Sequence, residues 1–217
     1  MNVIEHNGFK MYNDKDMVCK VINETGEFEP ETTQWWLEQV YIANQTDGMV
    51  IDVGAYTGYY TIQALMRKCN CVSFEPNNHV YQRLLDNINL NLLPFNNQQR
   101  EIGLSNKIAT MSLGDTNRSS LTSASKIVKQ GKYKVFVKPL DGYTFDKRIV
   151  AIKIDIEGHE IEALEGAVNS IIKDKPSIVT EALSDEEYNK QLYFFESIGY
   201  NCVRCIDKRN YLWQSSV

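Results

Sequence analysis

The sequence predicts an α/β protein with a central, mostly parallel sheet, helices on both faces and an antiparallel hairpin at its C-terminal edge. Three observations carry this. Short, mainly apolar runs at 49–53, 71–76, 149–154 and 176–180 have the length and hydrophobicity of strands buried on both sides. Segments with apolar residues at helical spacing separate them, the alternation that generates parallel crossovers. The last two strand-like runs, 199–205 and 211–213, are joined through Asp207-Lys208-Arg209-Asn210. That connection is too short for a crossover helix, so the pair must be antiparallel.

Taken in order, residues 1–28 mix β-like runs at 9–12 and 17–22 with turn residues, so a hairpin is expected ahead of the main fold. A helix opens at 28–33, with Pro30 near its start and acids in its first turn. Trp35, Trp36, Val40 and Tyr41 supply its apolar side and are read as packing residues. Thr46-Asp47-Gly48 turns the chain into the first central strand, 49–53, and a helix is expected over 57–68. After the strand 71–76, Asn77 and Asn78 introduce a helix with Val80, Leu84, Leu85 and Ile88 at core spacing. The polar stretch 89–99 is a loop into a third strand near 100–104. Extended runs at 108–113 and 132–139 flank 114–125, whose Gly, Ser, Thr and Asn content suits a mobile loop at a ligand edge.

Beyond the strand 149–154, residues 158–172 read as one helix with Ile161, Leu164, Val168 and Ile171 inward. The strand 176–180 ends at Glu181, and Ser184-Asp185-Glu186-Glu187 caps the next helix. With no repeat or linker, 1–217 is a single domain: an N-terminal hairpin and helix extension over 1–45, and the α/β core over 46–217.

Composition narrows the function. At 217 residues the chain can bury a sizeable core. A net charge of −5 and the lack of a lysine or arginine stripe argue against a nucleic-acid groove. No apolar run reaches the length of a membrane span, and the first residues lack a signal-peptide core. Five cysteines, an odd number without a framework, point to a reducing, cytoplasmic setting. Cys202 and Cys205 match C-x-x-C but have no second pair, so buried structural thiols are expected.

The most informative stretch is Val50-Ile51-Asp52-Val53-Gly54-Ala55-Tyr56-Thr57-Gly58-Tyr59-Tyr60-Thr61. It is the strand, glycine loop and helix start with which doubly wound proteins hold a nucleotide-like cofactor. Gly54 would let backbone approach the ligand and Gly58 would let the helix pack on the strand. Free N–H groups at the helix start would attract a carboxylate or phosphate. Ala55 replaces a middle glycine, so a pyrophosphate is poorly accommodated, and Asp52 within the motif would meet a cationic or hydroxyl-rich ligand. S-adenosylmethionine, with an amino group and a ribose but no phosphate, fits better than a dinucleotide. Glu75, 23 residues after Asp52 at the tip of the next strand, is placed to take ribose hydroxyls.

A second stretch, Lys153-Ile154-Asp155-Ile156-Glu157-Gly158-His159-Glu160, gathers charge at a strand's C-terminal end, which in parallel sheets faces the ligand crevice. Alternation puts Lys153, Asp155 and Glu157 on one face. Two roles are open. A carboxylate or His159 could take the proton of an attacking hydroxyl, or Asp155 and Glu157, with Glu181 or His159, could hold a divalent cation such as Mg or Mn. Lys153 would steer substrate or pair with an acid.

These segments, with Phe74-Glu75-Pro76-Asn77, Leu104-Ser105-Asn106, the 137–142 segment VKPLDG, Ile152 to Ile161 and Leu164-Glu165-Gly166, resemble the FkbM family of S-adenosylmethionine-dependent methyltransferases. The likeness runs from about residue 28 to 182. It implies a Rossmann-like class I methyltransferase fold, whose parallel sheet ends in such a hairpin, and O-methylation of a hydroxyl. The acceptor it implies is a sugar, either a glycan or a deoxysugar of the rhamnose type, with glycosyltransferases of the same pathway as partners. By this resemblance Asp52, Gly54, Ala55, Tyr56 and Gly58 line the methionine end of the cofactor. Glu75 binds ribose, Pro76, Gly103 and Leu104 lie beside adenine, and the Asp155 to Glu160 segment faces the transferred methyl. Tyr56 stands where the family commonly has a small polar residue. Arg118, Ser119 and Ser120 are expected to close over the acceptor. A non-sugar acceptor and a cofactor-binding module without catalysis are the competing readings.

Overall fold

A computed structural model of the chain describes residues 2–13, 16–94, 98–114, 127–128, 130–131 and 133–216. The loop expected at 114–125, with Arg118, Ser119 and Ser120, lies outside them apart from Gly114. The N-terminal hairpin consists of β1 (Val3–His6) and β2 (Phe9–Tyr12). The run expected to be its second β-like segment is instead a helix, α1 (Met17–Thr25). Its buried residues Val18, Cys19 and Ile22 share a helical face. Asp16 caps it by accepting from Cys19 N at 2.9 Å, and Gly26 ends it at φ +85°.

Helix α2 (Pro30–Gln45) follows, with Trp36 fully buried and its Nε1 donating to the Tyr60 carbonyl at 2.9 Å. Then come β3 (Met49–Val53), α3 (Tyr59–Met66), β4 (Asn70–Phe74) and α4 (Asn78–Leu90). The third strand expected near 100–104 is split. β5 (Gln99–Arg100) pairs with β4, whereas β6 (Gly103–Leu104) joins a separate sheet with β7 (Ala109–Leu113), β8 (Ile127–Val128) and β9 (Tyr133–Lys138). A turn in which Ile102 N donates back to the Arg100 carbonyl breaks the run.

The second half supplies β10 (Ile149–Ile154), α5 (Glu160–Glu165), α6 (Val168–Asp174), β11 (Ser177–Glu181), α7 (Asp185–Ser197), β12 (Tyr200–Ile206) and β13 (Asn210–Ser215). The single helix expected over 158–172 is two. A Cβ on Gly166 would overlap the Ser105 carbonyl, and Asp141 caps α6 by accepting from Asn169 N and Ser170 N at 2.9 and 2.8 Å. Cys202 is half-buried and Cys205 exposed, both on edge strand β12, so the expected burial of this pair does not hold.

The main sheet has the order β12-β13-β11-β10-β3-β4-β5. β13 runs against β11 and β12, and the other neighbouring pairs are parallel. One face carries a core built around Val50, Trp36, Ile62 and Leu84, the other a core around Ile51, Ile152, Leu164 and Trp213. The chain winds outward from β3 in one direction and from β10 in the other, so the switch point opens between these strands at their C-terminal ends. No helix among the described residues is long and apolar enough to cross a membrane.

Candidate active site

The loop after β3 is fixed by backbone bonds. Gly54 N and Ala55 N both donate to the Phe74 carbonyl, at 2.9 and 3.0 Å, Tyr56 N donates to Glu75 Oε2 at 3.1 Å, and Gly58 N donates to the Ala55 carbonyl at 2.9 Å. These amides are therefore committed within the protein, and the loop is not the open anion cradle its glycines suggest. The glycines have other reasons. A Cβ on Gly54, at φ +79°, would overlap the carbonyl of Asp155, so this glycine lets the ends of β3 and β10 touch. A Cβ on Gly58, at φ +99°, would run into the Leu84 side chain of α4. Asp52 lines no cavity beside the loop. It is 1% exposed, accepts from Thr61 Oγ1 at 2.7 Å and so ties α3 to β3. Burial pushes its carboxyl up, and neighbouring Lys153 pulls it back down.

Beside this loop lies a narrow cleft. Pro76, Val80, Gly103, Leu104 and Leu113 give it apolar walls, while Gly54, Tyr56 and Glu75 close one end. Glu75 is the polar fixture. It is 8% exposed, with Oε1 accepting from Asn77 N at 2.8 Å and Oε2 from Tyr56 N at 3.1 Å. Burial lifts its pKa to about 7, against the pull of those two amides. An adenosyl group fits this donor set: an apolar slot for a base, and a fixed carboxylate for a diol.

The turn after β10 is held by a residue to which the sequence assigns no separate role. Glu160 Oε1 accepts from Ile156 N at 3.0 Å and Gly158 N at 3.2 Å. It thereby stabilises the left-handed pair Glu157 (φ +60°) and Gly158 (φ +96°). The reversal separates the charged residues. His159 is carried to the wall of the cleft, 8% exposed, with Nε2 3.0 Å from Ser105 Oγ and Nδ1 3.4 Å from Glu162 Oε2. Burial holds its pKa below the usual value, partly opposed by Glu162. Asp155 and Glu157 instead line both the cleft and a neighbouring chamber.

That chamber, of about 180 Å³, is lined by Phe28, Glu29, Tyr59, Tyr60, Lys153 and Glu181 along with Ala55 and Tyr56. Lys153 is 2% exposed, 2.9 Å from Asp155 Oδ2 and 4.7 Å from the centre of the Tyr60 ring. Burial opposes its charge, but Asp155, Glu29 and Asp52 outweigh that and hold its pKa above the ordinary lysine value. Burial, then Asp155 and Glu157, push the Glu181 carboxyl up to about 8. Carboxylate oxygens of Asp155, Glu157 and Glu181 all lie within 4.8 Å of one another, close enough to hold a divalent cation, although the Lys153 ammonium already neutralises part of that charge.

Of the residues expected at the site, the structure brings Gly54, Tyr56, Glu75, Pro76, Gly103, Leu104, Asp155, Glu157 and His159 to the cleft and Lys153, Ala55 and Glu181 to the chamber. Asp52 and Gly58 line neither and support the framework. Glu29 and Tyr60 were missed. Burial also raises the Glu29 carboxyl, against Lys153, and Glu29 Oε2 accepts from Tyr60 Oη at 2.6 Å. Glu29 has φ +41° and belongs to the N-terminal extension, with only Pro30 beside it to mark a helix start.

Comparison with known proteins fits this geometry. In solved structures the chain is similar to a methyltransferase FkbM from Methylobacillus flagellatus KT (TM-score 0.57, 19% identity), over 77% of this chain and 43% of that one. A ribosomal protein L11 methylase from Lactobacillus delbrueckii subsp. bulgaricus is similar at TM-score 0.54 and 12% identity, over 85% and 78%. So is a Pyrococcus abyssi tRNA (uracil-54, C5)-methyltransferase in complex with S-adenosyl-L-homocysteine, at 0.51 and 10%, over 98% and 43%. At these identities the likeness speaks to the fold, and the chain spans less than half the length of the Methylobacillus protein. No curated protein matches the sequence. The family model for the methyltransferase FkbM domain matches residues 52–202, from Asp52 in β3 into β12, and so takes in the cleft and the carboxylates after β10 and β11. With more than two thirds of its residues matched and a methyltransferase fold around the site, the chain belongs to the FkbM methyltransferase family.

Proposed function

We propose that this protein transfers a methyl group from S-adenosylmethionine to a hydroxyl of a sugar, on a glycan or a deoxysugar of the rhamnose type. The observation that carries the reading is the shared wall: Gly54, Tyr56, Asp155 and Glu157 border both the apolar cleft and the acidic chamber. A cofactor in the first and an acceptor in the second would meet there. Glu75 would hold the ribose, Pro76, Gly103 and Leu104 the adenine, and Gly54 and Tyr56 the methionine end, with Ala55 on the chamber side. When bound, the cofactor supplies a methyl group already activated on a sulfonium. What remains for the chain is position, worth roughly 7–11 kcal/mol in favourable cases, and a proton acceptor. Asp155, backed by Glu157 and Glu181, takes the hydroxyl proton, and Lys153 fixes the carboxylate that receives it. His159, with both ring nitrogens engaged, shapes the cleft. The expected setting is cytoplasmic, beside glycosyltransferases that build the acceptor.

Calorimetric titration with S-adenosylmethionine and separately with NAD, followed by transfer assays on methyl glycosides, tests the reading. Binding of NAD alone would refute it. Asp155→Asn is expected to lower transfer at least 100-fold while keeping cofactor binding, and His159→Ala to retain transfer; full activity in Asp155→Asn would remove the proton acceptor. Because Lys153 fills the cationic role, EDTA should leave transfer unchanged. Loss on EDTA, restored by Mg or Mn, would assign Asp155, Glu157 and Glu181 to a metal.

Glu75 gives a pH dependence. Its folded pKa of about 7 lies above the 4.5 of a free glutamate, so the folded protein keeps a proton that the unfolded chain has lost. Stability from this group therefore falls as pH rises from 4.5 through 7. A diol donates best to the anion, so cofactor binding should tighten as pH rises and level off above about 7, with proton release below it. Titration at pH 6 in buffers of different ionisation enthalpy reads that proton. No release would remove Glu75 from the ribose.

A further inference from the structure

A second, open groove lies beside the acceptor chamber, and Phe28 and Tyr59 contribute to the lining of both. The two rings stand edge to face with 5.2 Å between centroids. From Pro30 to Tyr41 the groove follows α2, about 16 Å at 1.5 Å of rise per residue. That is room for several sugar rings, not one.

Its lining alternates ring faces with side chains that donate and accept. The His6 ring stacks on Tyr59 at 6.3 Å and 29°, and Tyr41 is 65% exposed. Gln34 donates to Glu38 at 3.0 Å, leaving further donor and acceptor capacity on Gln34 and acceptor capacity on Glu38. Among the described residues, no lysine or arginine lines the groove.

We propose that this groove is an extended acceptor subsite holding the sugar units next to the one methylated, so that the acceptor is a neutral glycan chain and not a free monosaccharide. The inference rests on the sugar hydroxyl transfer proposed above. A pyranose ring presents an apolar C–H face and a rim of hydroxyls. His6 and Tyr41 offer π faces to the first, and Gln34 offers donors and an acceptor, and Glu38 acceptors, to the second. A polyanionic chain would meet Glu27 and Glu38 with no lysine or arginine opposite among the described residues. An apolar partner would bury these polar groups without hydrogen bonds.

The test is an array of immobilised neutral and anionic glycans, from single sugars to longer oligosaccharides, probed with labelled full-length protein saturated with S-adenosylhomocysteine. Longer neutral glycans should bind about tenfold more tightly than their single terminal sugars, the ratio that one good stacking contact supplies. Tyr41→Ala and Gln34→Ala, both at exposed positions, should abolish that gain, with calorimetric binding of S-adenosylhomocysteine confirming an intact fold. Equal binding of short and long neutral glycans, or a gain that both variants keep, overturns the subsite while leaving sugar methylation standing. Cofactor binding with no neutral sugar bound at any length overturns both, as does a preference for anionic glycans for the subsite alone. A dimer in light scattering that Tyr41→Ala dissociates would give the groove to a second copy and also overturn the proposal.

Discussion

Methionine in place of Lys153 is expected to cost the fold about 3–5 kcal/mol at neutral pH and to stop methyl transfer. Methionine fills a similar volume, so the loss is electrostatic. The ammonium lies on a central strand at 2% exposure, 2.9 Å from Asp155, with Glu29 and Asp52 also supporting its charge. Without it, three carboxylates in a low-dielectric site face one another with no counter-charge. The pH dependence separates this from a packing defect. The folded pKa of Lys153 is raised, so its contribution is complete below the unfolded value of about 10.4 and is lost only as pH rises through the higher folded one. In the variant the carboxylates have to take up protons to coexist, which becomes easier as pH falls. The deficit in urea unfolding should therefore narrow between pH 8 and pH 5. A deficit under about 1 kcal/mol, or one independent of pH, would mean that Lys153 is not the counter-charge of this site.

What could be read from the chain follows from how local each signal is. β3, β4, β10 and β11 are short apolar runs between turns, and nothing else suits such runs once helical segments separate them. The terminal hairpin is dictated by the length of its connection. Where tertiary contacts decide, the reading fails. Val18 and Ile22 favour strands by propensity, yet the Asp16 cap and the burial of one helical face prevail in α1. Residues 158–172 keep helical periodicity across a break that exists because Gly166 touches Ser105, more than 50 residues away in the chain. In the site, Lys153 and Asp155 do share a strand face and pair. His159 is near them in sequence but is turned to the cleft by the left-handed residues Glu157 and Gly158. Glu29 enters the chamber from the N-terminal extension, and no residue pattern around it announces that.

Alanine in place of Gly54 is expected to abolish cofactor binding and to destabilise the protein by about 3–5 kcal/mol. Two costs combine. Backbone at φ +79° is strained for any residue with a Cβ, and the added methyl would overlap the Asp155 carbonyl. A flexible side chain could turn away; this backbone cannot. Asp155 N donates to the Val53 carbonyl at 3.0 Å, and Ile154 pairs with Val53 in the parallel register of β10 and β3. The overlap is relieved only by parting the two strands at the switch point, and that moves the shared wall of cleft and chamber. Gly199→Ala isolates the first cost, because its φ of +77° is nearly the same and nothing lies within 4 Å of the added Cβ. It should lose about 1–2 kcal/mol and keep binding. Urea unfolding and S-adenosylhomocysteine titration of both variants decide the matter. If Gly54→Ala costs no more than Gly199→Ala, strain alone accounts for the glycine, and contact between the β3 loop and Asp155 is not what assembles the site.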